Sequence, residues 1–111
     1  MDHEEAADTL AELGNVHRLA IFRYLVKAGH QGASVGEIQR ALDIPHSTLS
    51  HHLARMAHVD LITQRRQGRT LYSLPNYAKL YAVMSYLDEE CCAGHDDATA
   101  QEPMIYDDEK D

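Results

Sequence analysis

Residues 44–59 read Ile44-Pro45-His46-Ser47-Thr48-Leu49-Ser50-His51-His52-Leu53-Ala54-Arg55-Met56-Ala57-His58-Val59, and two different surfaces are written into this one stretch. At 100° per residue, Leu49, Leu53 and Met56 fall on one side of a helix and make a core stripe. Ser47, His51, Ala54, Arg55 and His58 fall on the other, with Thr48 and Ser50 on the flanks. Pro45 suits a first helical position and pushes Ile44 out of helical angles, so Asp43-Ile44-Pro45 reads as a turn and the helix as about Pro45 to Val59. The outer face is polar, short-chained near its N-terminus and able to donate hydrogen bonds. His52, at the border of the stripe, reads as a packed structural histidine. The tandem His51-His52 lacks the i, i+4 spacing that lets two helical histidines share a metal.

Upstream, Ser34-Val35-Gly36-Glu37 has the form of a capping box and opens a short helix ending near Leu42. Asn15 caps a helix over Val16 to Lys27, with Leu19, Phe22, Leu25 and Val26 as its stripe; Ala28-Gly29 ends it and His30 to Ala33 is a loop. A first helix spans Asp2 to Leu13, apolar at Ala6, Ala7, Leu10 and Leu13. Downstream, Leu61–Arg66 and Thr70–Leu74 alternate as strands joined at Gln67-Gly68-Arg69. Pro75 breaks the second strand. A last helix, about Asn76 to Cys91, places Tyr77, Leu80, Met84, Leu87 and Cys91 on one stripe with Val83 beside it, more apolar surface than one small domain buries. Residues 95–111 are acidic, lack periodicity and contain Pro103, so they read as a disordered tail following a domain of residues 1–94. The fold class is mainly α with a β-hairpin: two helices joined by a tight turn, the second followed by a hairpin, describe a winged helix-turn-helix.

The net charge of −8 is unevenly placed. Residues 1–14 carry five acids and no base, and residues 86–111 carry ten acids and Lys110 alone. Residues 15–85 hold nine Lys/Arg against Glu37, Asp43 and Asp60, a balance of +6. A basic centre between acidic ends can meet an anion. No run approaches the length of a membrane span, and the acidic start is unlike a signal peptide, so a cytoplasmic address is expected. Two adjacent cysteines make no ordinary disulfide framework. Nothing pairs a nucleophile with a base, cradles phosphate or matches H-E-x-x-H, so no enzyme is expected.

A helix reads the major groove through its N-terminal part. That part here offers His46, Ser47, Thr48, Ser50 and His51, with Arg55 and His58 further along the same face, well placed for phosphates. Arg65, Arg66 and Arg69 surround the hairpin tip, where they would lie along the backbone or probe the minor groove. DNA is therefore the expected partner, ahead of a winged helix that binds protein.

The motifs also carry a family resemblance. Val16-His17-Arg18-Leu19-Ala20-Ile21, the segment from Ile44 to Leu53, and Asp60-Leu61-Ile62 followed by Arg65 to Leu74 together resemble the arsenical-repressor (ArsR/SmtB) family of winged-helix repressors, over roughly residues 8–92. The departures are Asn15-Val16 for a proline-containing turn, Asp60 for a turn glycine, and Pro45 for a serine, which leaves Asp43 or a backbone amide to cap the helix. The resemblance implies a homodimer through the first and last helices, an inverted-repeat operator, no required cofactor, and release by an inducer. The cysteine pair usual before the recognition helix is missing from Val35–Gln39, and no histidine lies between Tyr77 and Glu90. Cys91-Cys92-Ala93-Gly94-His95 remains, similar to the C-terminal Cys-Cys of an arsenic-responsive subset. It makes Cys91 and Cys92, with His95 as a harder nitrogen ligand, the candidate metal site, and As(III), methylated As(III) or Sb(III) the candidate inducers. Another thiophilic metal, an oxidant, or no sensing role, with Cys91 a buried small hydrophobe and Cys92 an incidental neighbour, stay open. The acidic neighbours Asp88, Glu89 and Glu90 are expected to raise the thiol pKa values.

Overall fold

The computed structural model of the protein describes residues 1–94. The tail and His95 lie outside the described residues. Five helices carry the fold: α1 (His3–Leu13), α2 (Val16–Ala28), α3 (Val35–Leu42), α4 (His46–His58) and α5 (Tyr77–Asp88). Strands β1 (Ala33–Ser34), β2 (Ile62–Gln67) and β3 (Thr70–Pro75) form one antiparallel sheet in the order β1-β3-β2. The helix-turn-helix is α3 and α4; the wing is β2 and β3.

Local chemistry sets most of the boundaries. Asp2 accepts from the amide of Glu5 at the head of α1, and Asn15 accepts from the amides of His17 and Arg18 at the head of α2. The capping box of α3 is complete: the Glu37 amide donates to Ser34 Oγ, and the Ser34 amide donates to Glu37 Oε1. Gln67 pairs with Thr70, so the hairpin turn is the two residues Gly68 and Arg69, and Gly68 has φ 65°. A positive φ at the first central residue alone suits a primed turn that follows the strand twist. Asp60 takes φ 63° between α4 and β2, the left-handed geometry that suits a glycine at this turn.

One core joins these elements. Ile21, Phe22 and Leu25 of α2, Ile38 of α3, Leu49, Leu53 and Met56 of α4, and Leu61 and Ile62 at the base of the wing are all buried and in one cluster. The α4 stripe is the one its helical spacing predicts. The α2 stripe differs: Arg18, Ile21, Phe22 and Leu25 face inward, while Leu19 and Val26 are exposed. Arg18 takes the inward place because its charge is matched from neighbouring helices, as described below.

Three further expectations are corrected. Pro45 is the N-cap of α4 and not its first residue, and no side chain caps that end; Asp43 instead ends α3 with φ 54°. The last helix stops at Asp88, three residues short of Cys91, and Cys92 has φ 66°, which a continuing helix cannot accommodate. The loop before α3 contains strand β1, where Ala33 pairs with Ser73 and Ser34 with Tyr72. Two residues are too few to show a period. Gly32 permits the approach: at φ 72°, a Cβ there would lie 2.6 Å from the Ser73 carbonyl oxygen and 2.8 Å from Leu74 Cγ.

Gly32→Ala should therefore destabilise the fold by roughly 2–4 kcal/mol, combining left-handed strain with a backbone clash. Gly68→Ala meets nothing within 4 Å and should cost about 1 kcal/mol. Urea midpoints of the two variants check this; equal losses would show that β1 does not constrain Gly32.

Candidate nucleic-acid interface

The inner face of α4 is anchored in the core, so its other face is held outward. His46, Ser47, Thr48, Ser50, His51, Arg55 and His58 are all exposed, and His52 is buried, as the helical wheel places them. The first intrahelical bond is from the Leu49 amide to the Pro45 carbonyl, at 2.9 Å. With no side-chain cap, the amides of the first turn point out of the helix unclaimed by one, where an anion can meet them. The wing is bound to the far end of the same helix: the Leu61 amide donates to the Met56 carbonyl, and Asn76 reaches back to the carbonyls of Asp60 and Leu61.

The three wing arginines are exposed but not equivalent. Arg65 donates to the Gln31 carbonyl at 3.1 Å, and its guanidinium lies over the Tyr72 ring. Among the described residues, Arg66 and Arg69, nearest the tip, enter no salt bridge.

Arg55 is held by Glu12 of α1, whose carboxylate accepts from Nε and Nη2 at 3.0 Å each. Glu12 also pairs with Arg18, whose Nε donates to the Glu12 carbonyl at 2.7 Å. Arg18 Nη1 lies 3.3 Å from His52 Nδ1. Arginine can only donate, so this ring nitrogen is the acceptor and His52 is neutral. Burial first, then the positive charge of Arg18 and of neighbouring groups including His17 and His51, pushes the His52 pKa down. The bond from Arg55 holds Glu12 below the usual carboxylate range. Sequence reading missed Glu12 and Arg18: the first enters it only as one of the five acids of residues 1–14. The signal for the second was its place three and four residues before Ile21 and Phe22, on the buried face.

The cysteines occupy an exposed turn beyond α5. Cys91 is exposed, Cys92 half-buried, and their sulfurs are 3.3 Å apart as free thiols. The Cys92 pKa is raised, chiefly by its hydrogen bond with Cys91 and then by burial, rather than by the acidic neighbours the sequence pointed to. Cys91 borders a cleft with His3, Tyr86 and Glu90, in which His3 Nδ1 is 2.7 Å from the Tyr86 hydroxyl. Among the described residues no three His, Cys, Asp or Glu side chains are grouped to hold a metal ion.

Comparison with known proteins agrees with this arrangement. A family model described as a helix-turn-helix domain matches residues 13–65. The chain is 38% identical over 90 residues to the HTH-type transcriptional regulator YgaV of Escherichia coli (strain K12), covering 80% of this chain and 88% of that one. It is 31% identical to the transcriptional repressor PagR of Bacillus anthracis, covering 79% and 86%. Its fold is similar to the solution structure of Mb0332 from Mycobacterium bovis, described as a homodimeric winged helix-turn-helix DNA-binding domain and a possible ArsR-family regulator (26% identity, TM-score 0.61, 85% and 87% covered). The chain belongs to the ArsR family of transcriptional regulators. The relatives at this similarity are a transcriptional regulator and a transcriptional repressor, not enzymes. No helix among the described residues is long and apolar enough to cross a membrane.

His52 makes the fold of this ArsR-family chain sensitive to acid. Its folded pKa lies below its unfolded value near 6.5, so the unfolded state binds more protons. Its contribution is complete above about pH 6.5 and is lost as pH falls through the folded pKa. Chemical denaturation at pH 7.5 and 5.5 should show lower stability at pH 5.5, and His52→Gln, which keeps an acceptor for Arg18 without titrating, should reduce the difference. An undiminished difference in the variant would place its source elsewhere.

Proposed function

We propose that the protein is a homodimeric repressor that binds an inverted-repeat operator and leaves it when an inducer occupies Cys91 and Cys92. The observation that carries the DNA reading is the exposed row of short donors on the first two turns of α4. His46, Ser47, Thr48, Ser50 and His51 address base edges and phosphates, while Arg55, Arg65, Arg66 and Arg69 track the backbone. The dimer is supported by the outward apolar row of α5, Tyr81, Met84 and Leu87, together with exposed Leu10 of α1. Two-fold symmetry doubles a contact that one short helix makes too weakly alone. A cytoplasmic location follows from this role.

For the inducer, two soft thiols beside one another in an accessible turn favour trivalent arsenic or antimony over a hard cation. The described residues supply two thiolates and no third ligand, which suits a monomethylated arsenical with two exchangeable positions. For As(III) or Sb(III), a small-molecule thiol, water or a partner cysteine completes the set. The raised Cys92 pKa disfavours an oxidant sensor, since the thiolate is the reactive form. A bound metal displaces the thiol proton and is less affected.

Fluorescence anisotropy on a duplex selected by the protein from a random-sequence pool tests both parts. Arg66→Gln and Arg69→Gln should each weaken binding to all sequences and reduce the salt slope by about 0.9 per phosphate contact, twice that in a symmetric dimer. His51→Ala should cost about 1–3 kcal/mol on the selected duplex and little on a scrambled one. Salt-independent binding would favour a protein-binding winged helix instead. A methylated trivalent arsenical, arsenite or antimonite should release the duplex from the wild type and not from Cys91→Ser/Cys92→Ser. Release from both, or from neither, removes the cysteines from the mechanism.

A further inference from the structure

Three helices meet at one carboxylate. Glu12 belongs to α1, its side chain is 12% exposed, and it takes a guanidinium from α2 and another from α4. Its grip on α4 has two points: Arg55 directly, and His52 through Arg18. These are three residues apart, so they pin one face of the helix in rotation as well as position. Two nitrogens of Arg55 are committed to Glu12, yet its side chain remains 48% exposed, and Nη1 is left to donate outward.

Resting on the DNA-binding reading above, we propose that Glu12 is a positioning residue for sequence recognition. It sets the orientation of α4 against α1 and holds the guanidinium of Arg55 in place with Nη1 ready for a phosphate. Two guanidiniums share the one carboxylate, so the cluster keeps a net positive charge and does not repel DNA. A guanidinium fixed in place before contact loses less freedom on meeting phosphate than a free side chain would. The orientation of α4 decides whether Ser47, Ser50 and His51 reach base edges, and so the effect falls on discrimination more than on general affinity for DNA.

The test compares binding of full-length variants to the selected duplex and to a scrambled duplex of equal length, each over a range of salt. Glu12→Gln keeps the shape and removes the charge. It should reduce the preference for the selected duplex about tenfold or more while changing affinity for the scrambled one far less. Arg55→Gln guards against misfolding, since it alters an exposed side chain and leaves the Arg18–Glu12 pair in place. It should lose preference as well, with a salt slope lower by about 0.9 per protomer. Arg55→Lys restores the charge without the fork and should recover the slope but not the preference. Equal tightening on both duplexes in Glu12→Gln would mean that Glu12 only sequesters Arg55, and unchanged preference in Arg55→Gln would mean that the pair is structural; either overturns the proposal. Wild-type binding that shows no salt dependence would overturn the DNA reading and this inference together.

Discussion

A buried arginine organises this small molecule. Arg18 occupies an inward position on α2, 8% exposed, beside Ile21, Phe22 and Leu25. Leaving such a charge uncompensated costs several kcal/mol, about what a domain this size has to spare. Its three partners, the Glu12 carboxylate, the Glu12 carbonyl and His52 Nδ1, come from α1 and α4. Satisfying one guanidinium therefore fixes three helices against one another, and the outward face of α4 is a consequence of that packing.

The same node changes the meaning of the acidic N-terminus. By composition, residues 1–14 are a run of five acids that could be a solvated face. In the fold three of them have partners: Asp2 caps α1, Glu5 pairs with Lys79 of α5, and Glu12 binds both arginines. The charge is thus used to fasten α1 to α5 at one end and to α4 at the other. A net negative chain can present a positive reading surface because much of its acid at this end faces its own helices.

The helix-turn-helix and the wing were legible because their signals are local. Stripe spacing in α4, the Ser34–Glu37 box, the Asn15 cap and the Gly68 turn each fall within a few residues of the chain. What escaped was nonlocal. The partner of Arg55 lies forty-three residues away, and nothing in the spacing of α4 separates a phosphate-seeking arginine from a paired one. Strand β1 is two residues made possible by a glycine against a distant strand. The stripe on α5 misled in a different way: helical periodicity counts Cys91 as its next position after Leu87, but the helix ends at Asp88 and the cysteines lie in the turns that follow. Periodicity reports which face a helix would bury, and not where the helix stops.

That ending bears on what a ligand at the proposed cysteine site would touch first. A ligand at Cys91 and Cys92 would act on a turn and not on the stripe of α5, so it need not disturb the buried Val83 contact. Close by, Tyr86 of α5 meets His3 at the start of α1, and at the other end of α1 Glu12 meets α4. From His3 to Glu12 the helix advances nine residues, at about 1.5 Å each, in one continuous hydrogen-bonded rod. A short helix resists bending far more than a loop does, so a shift imposed at His3 reaches Glu12 as a movement of the whole of α1. The carboxylate that satisfies the buried Arg18 is also where α1 grips α4, through the two bonds it accepts from Arg55, so the contact at His3 and the contact with α4 sit on the same helix.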